Sequence, residues 1–166
     1  MQTPSRDQAL APGPETPPIH IRVQHEAFAL NEGYEALIEH RQDVGALVSF
    51  TGLVRDFNET PEVTGLTLEH YPGMTEQALT DIAVEAASRW VLQGVVIVHR
   101  VGQLLPGDPI VRVVVASAHR RDAFNACDFI MDILKTRAPF WKKEHSRQGD
   151  YWVKERTSDV DDAARW

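Results

Sequence analysis

The chain has 166 residues, 43% of them hydrophobic and 25% charged, a balance that suits one domain with a real core. Seventeen Lys and Arg against 24 Asp and Glu give a formal net charge of -7, which argues against nonspecific binding to a polyphosphate backbone. The single cysteine, Cys127, excludes an intrachain disulfide framework and any multi-cysteine zinc site, and no apolar run is long enough to cross a bilayer.

Residues 1–18 lack the basic start and apolar centre of a secretory signal and carry five prolines from Pro4 to Pro18, so a disordered leader is expected there. The lone cysteine fits a reducing, cytoplasmic setting. IHIRVQ at 19–24 alternates like a first strand, and Asn31 can cap a short helix through about His40 that presents Leu37 and Ile38. The run at 44–55 reads as a long buried strand. Residues 63–71 alternate as a second strand antiparallel to it, with 55–62 as the hairpin connection. Thr75 is a plausible N-cap for a helix carrying Leu79, Ile82, Ala83, Ala86 and Trp90 at helical spacing.

Two β-rich runs, 94–102 and 109–118, flank a turn at Pro106-Gly107-Asp108 and predict a hairpin. A second main helix over about 121–136 puts Phe124, Cys127, Met131 and Leu134 on one face. FWKKE and DYWVKE then flank a Gln148-Gly149 turn. The body at 19–156 therefore reads as an α+β single domain with mostly antiparallel strands and two main helices. Residues 157–166 form an acidic tail ending in Trp166, which can dock on the body or on a partner or stay loose.

The most informative segment is KTRAPFWKKE at 135–144, which concentrates Lys135, Arg137, Lys142 and Lys143 in an acidic protein. Pro139 should end the helix and turn the chain, so these cations come from two elements and can surround an anion from two sides. SAHRR at 117–121 places further basic residues near the other end of the same helix. HExxH, paired cysteines and carboxylate-rich loops are absent, so no metal is expected; GxGxxG and the P-loop pattern are absent as well. Cys127 on an apolar face reads as core rather than as a nucleophile. Phe50, Met131, Phe140 and Trp141 read as packing residues ahead of a stacking platform.

FTGLVR at 50–55, LTLEHYPGMTE at 66–76, HRVGQLLPGD at 99–108, SAHR at 117–120 and FIMDILKTRAPFWKKE at 129–144 occur in one order. Through them the chain resembles the large, catalytic subunits of molybdopterin synthase from about residue 19 to the C-terminus, with HSRQ at 145–148 departing from the pattern. The resemblance implies an α/β-hammerhead-like fold and a sulfur transferase that converts cyclic pyranopterin monophosphate into the dithiolene of molybdopterin. It implies a partner, a ubiquitin-like small subunit ending in a Gly-Gly thiocarboxylate, and a heterotetramer built on a central dimer of large subunits. It implies no cofactor bound by the protein, since the partner supplies the sulfur.

By the same resemblance, Arg55, His119, Arg120, Lys135 and Lys142 match functional positions. Two anions, a phosphate and a thiocarboxylate, must meet in one pocket, and these cations would offset a repulsion of several kcal/mol. Phosphate recognition falls to Arg55, His119 and Arg120, because guanidinium is the better phosphate fork. Lys135 is the candidate general acid or base. Lys142 would steer the thiocarboxylate and stabilise the oxyanion formed when water attacks the acyl carbon. Lys143 and Glu144 extend the substrate-binding segment. Two rivals remain at this stage: a module that only holds an acidic tail, and a phosphate-ester hydrolase using His119 and Lys135.

Overall fold

The computed structural model describes residues 15–55, 63–154 and 156–166. Among them the chain forms eight strands and four helices: β1 (Ile19–Gln24), α1 (Tyr34–Ile38), β2 (Ala46–Leu53), β3 (Val63–His70), α2 (Met74–Arg89), β4 (Gly94–Arg100), β5 (Gly102–Leu104), β6 (Pro109–Ser117), α3 (Arg120–Arg137), β7 (Phe140–Ser146), β8 (Gly149–Val153) and α4 (Thr157–Ala164). The strands make two sheets, ordered β1-β4-β6-β2 and β5-β3-β7-β8. Every pairing is antiparallel except β1 with β4. The α+β architecture with antiparallel pairing and two main helices, α2 and α3, is thus the one expected.

β4 and β6 are continuous Val-rich runs because both of their faces are covered. Val95, Ile97, Val113 and Val115 meet α2 and α3 through Leu79, Ile82, Phe129 and Ile130. Val96, Val98, Val114 and Ala116 face the other way and pack on Phe28 and Leu37. The expected hairpin of 94–102 with 109–118 forms, in the register Gly94 with Ala116 through His99 with Val111. Its connection does more than turn, since β5 leaves the first sheet and pairs with β3 in the second.

The expected hairpin between 44–55 and 63–71 does not form. β2 pairs with β6 from Ala46–Ser117 onward, whereas β3 lies between β5 and β7. Alternation identifies both strands, yet it carries no information about the partner. β2 is also an edge strand, not a buried one, with Phe50 40% and Leu53 51% exposed. The loop expected at 55–62 lies outside the described residues apart from Arg55.

Three helix details differ for local reasons. α1 starts after Gly33, whose φ of 92° suits glycine, and the Tyr34 amide bonds the Asn31 carbonyl instead of an Asn31 side-chain cap. α1 stops at Ile38, short of His40, and Ile38 is exposed. At the start of α2 the Glu76 carboxylate accepts the Gly73 amide at 2.6 Å, so Gly73 is the cap. Thr75 is buried and donates instead to the Pro139 carbonyl at 3.1 Å, tying α2 to the end of α3. On α3, Ala123, Ala126, Phe129, Ile130 and Ile133 join Cys127 and Leu134 in the core, while Phe124 is 61% exposed. The buried arc is wider than a single stripe because α3 packs against α2 on one side and against β6 and β2 on another.

Residues 157–164 form α4 along α3, and Trp166 packs edge-on against Trp90 and Phe129 with ring centroids 5.6 Å away from each. No helix among the described residues is long and apolar enough to cross a membrane.

Candidate active site

Pro139 ends α3 and forces Ala138 into an extended conformation, after which β7 runs back beside β3. Side chains alternate along β7, so Phe140, Lys142 and Glu144 share one face while Trp141 and Lys143 share the other. The first face closes a cavity of about 640 Å³. Its other walls are the end of β2 with Arg55, Leu66 and Leu68 of β3, Met131, Leu134 and Lys135 of α3, and Val153, Lys154, Arg156 and Asp159.

Arg55, Lys135 and Lys142 therefore converge on one cavity although they are up to 87 residues apart in sequence. Lys142 Nζ lies 3.4 Å from Glu144 Oε1. Glu144 is 2% exposed and also accepts the Tyr151 hydroxyl at 2.6 Å. It orients Lys142 from behind. Lys143 lies on the opposite face of β7, with its amine 5.4 Å from the Trp152 ring centroid. His119 and Arg120 stand at the N-terminus of α3, exposed and outside the cavity lining. At 1.5 Å per residue, Arg120 is roughly 22 Å along the helix from Lys135.

The sequence reading missed four titratable lining residues. Lys154 and Arg156 add positive charge, and Asp159 places a carboxylate 3.4 Å from the Lys135 amine. The Gln148-Gly149 turn carried a usable signal for the first of these: antiparallel pairing across it sets Val153 opposite Lys142, which brings the next residue, Lys154, to the cavity. Nothing local announces Arg156 or Asp159.

The fourth is His99, which stacks on Phe140 with ring centroids 3.9 Å apart in the cavity floor. Its Nδ1 is 2.8 Å from the Arg100 carbonyl oxygen. Burial pushes its pKa down to about 4, so at neutral pH it is an uncharged imidazole donating from Nδ1. Cys127 is outside the cavity, and burial beside Asp128 pushes its thiol up to about 12, which makes it a packing group and not a thiolate. Among the described residues no three His, Cys, Asp or Glu side chains are grouped to hold a metal ion.

A cavity of this size suits a small molecule, and five cations against one carboxylate suit an anionic one. A family model described as MoaE protein matches residues 23–137. The molybdopterin synthase catalytic subunit of Pseudomonas aeruginosa is 56% identical over 146 residues, which cover 88% of this chain and 97% of that relative. A solved structure described as molybdopterin biosynthesis MoaE protein from Burkholderia ambifaria aligns with a TM-score of 0.76 at 50% identity, over 89% of this chain and 97% of the other. A structure described as a complex of subunits 1 and 2 of molybdopterin-converting factor from Helicobacter pylori shares the fold, with a TM-score of 0.66 at 23% identity over 82% of this chain and 91% of that one. With a family match over most of its length and a relative more than half identical across nearly the whole of that relative, the chain belongs to the MoaE protein family.

Proposed function

We propose that the chain is the catalytic subunit of a molybdopterin synthase, transferring sulfur from a thiocarboxylated small subunit to cyclic pyranopterin monophosphate in molybdenum cofactor biosynthesis. The observation that carries this reading is the convergence of Arg55, Lys135 and Lys142 on one cavity of about 640 Å³. Sulfur of the partner's thiocarboxylate bonds to a substrate carbon as that carbon's bond to oxygen breaks, the oxygen leaving with the electron pair and taking up a proton, and water then attacks the acyl carbon. The acyl C–S bond breaks, the sulfur stays on the pterin, and the partner leaves as an ordinary carboxylate. Arg55 holds the phosphate, Lys142 stabilises the oxyanion of the hydrolytic step, and Lys135 moves protons as general acid or base. The partner supplies the sulfur, so the chain needs no cofactor of its own. Two sulfurs are required, so the spent partner must exchange. A cytoplasmic location belongs to the same reading.

The complex described for the Helicobacter pylori structure supports a small-subunit partner here. A central dimer of large subunits would account for His119 and Arg120. Among the described residues β2 is an edge strand, whose first residue lies opposite Ser117, just before α3, and whose last residues lead to Arg55. Antiparallel pairing of two β2 edges around Ser49 and Phe50 would set the α3 N-terminus of one copy beside the cavity of the other.

The test is conversion of precursor by the purified chain with a small subunit ending in a Gly-Gly thiocarboxylate, and with the same protein ending in a carboxylate. Dithiolene should form only with the first. Product from the carboxylate form, or opening of the phosphate ester with no partner present, would sink the reading.

A further inference from the structure

α4 is held to α3 by a pattern of charge. Asp128, Asp132 and Lys135 recur at i, i+4 and i+7 and so form one stripe on α3, two negative charges followed by a positive one. α4 and the residue after it lay the opposite signs on that stripe. Arg165 Nη2 donates to Asp128 Oδ2 at 2.8 Å and to Asp132 Oδ2 at 2.7 Å, while Asp159 Oδ1 lies 3.4 Å from Lys135 Nζ. Trp166 Nε1 donates to the same Asp132 oxygen at 2.7 Å, and Arg89 Nη1 donates to the Trp166 carbonyl at 3.0 Å. An eight-residue helix has little stability of its own, so these contacts set its register and thereby the place of Asp159.

Asp159 is the one acid among the charged residues described in the cavity lining. A carboxylate in a cavity for anions weakens ground-state binding of the ligand, so substrate affinity does not explain it. Its side chain is 18% exposed against 54% for Lys135, so the more enclosed partner anchors the freer one. A lysine on a flexible stem loses reactive geometry unless something fixes its amine. We infer that Asp159 is a positioning residue for Lys135, held at the cavity wall by the docking of α4, and that it acts through the amine rather than on substrate. This rests on the reading of Lys135 as a catalytic group.

The experiment is Asp159→Asn in the full chain, assayed with precursor and thiocarboxylated small subunit. Turnover should fall about tenfold while KM for the precursor stays the same or decreases, and Asp159→Glu should recover most of the loss. Independently of turnover, acetylation of Lys135 by acetic anhydride, read by peptide mass spectrometry against Lys154, should rise about threefold in Asp159→Asn as the pair is released. Unchanged labelling would overturn the pairing. Increased labelling with unchanged kcat would overturn the positioning role and leave Lys135 its own, whereas normal turnover by Lys135→Ala would overturn the functional reading beneath both. A fall in kcat that Asp159→Glu fails to recover, accompanied by a lower melting temperature, would assign the residue to stability alone.

Discussion

The two ends of α3 both carry cations, in opposite settings. At the C-terminal end Lys135 faces a cavity walled by β2, β3, β7, Val153, Lys154, Arg156 and Asp159, with the Asp159 carboxylate at 3.4 Å. Its neighbour Arg137 pairs with Glu85 of α2 at 2.7 Å, and Arg137 together with Arg89 holds the Glu85 carboxyl below its usual range. Both cations also agree with the helix macrodipole. At the N-terminal end His119, Arg120 and Arg121 are exposed, and the two arginines work against that dipole. These cations cost the helix stability and stand outside the lining of the Lys135 cavity, so the proposed function gives them a role only if a second copy brings them to it. Residue type is the same at both ends; enclosure makes the difference.

The largest effect should come from the enclosed end. Lys135→Ala is expected to lower turnover at least about 100-fold with the melting temperature nearly unchanged, because Lys135 is half exposed and its loss strands no buried group. Lys142→Ala should also be severely impaired, and it should in addition lose about 1–3 kcal/mol of stability by denaturant titration, since it removes an ionic partner of the buried Glu144. Equal stability in both variants would show that Glu144 does not depend on Lys142.

Under the proposed central dimer, the exposed end should act across the interface between two copies. His119→Ala and Arg120→Ala are each expected to weaken precursor use about tenfold while leaving small-subunit binding intact, as titration of each component can show. Mixing equal amounts of Arg120→Ala and Lys135→Ala subunits should restore about a quarter of the wild-type sites, because a mixed dimer has one complete cavity. No recovery after subunit exchange would place the two ends in separate roles.

Beneath the enclosed end, His99 should make the fold acid-sensitive. Its pKa is depressed to about 4 in the folded chain against 6.5 unfolded, so its contribution is fully present above pH 6.5 and is lost as pH falls through about 4. The loss should be of the order of 3 kcal/mol. His99→Phe should flatten the stability curve between those limits; an unchanged acid limb would assign it to other groups. The smallest effect is expected at the cavity rim, where Lys154→Ala should raise KM for the precursor about two- to threefold with kcat unchanged, a cation removed from an exposed position.

Much of the site was legible in sequence. The run at 135–144 announced a basic corner, and Pro139 announced the turn that folds Lys142 back toward Lys135. What escaped was whatever depends on a remote element. His99 reads as one more residue in an apolar strand until Phe140 stacks on it. Lys143 reads as equivalent to Lys142 until the strand is assigned, after which the two must face opposite ways.

By itself the sequence determined where most of the strands and the two main helices lie, because alternation, helical spacing, Pro139 and the Gln148-Gly149 turn act over a few residues, whereas β5 and α4 were not marked by it. It also determined the family, through motifs that stay in order along the chain. Only the tertiary structure decided that β2 pairs with β6 and not β3, which arc of α3 is buried, and that the acidic end of the chain delivers Arg156 and Asp159 to the cavity. Strand partners and helix faces are chosen by total apolar area buried and by which charges meet, quantities that belong to the assembled chain and to no segment of it.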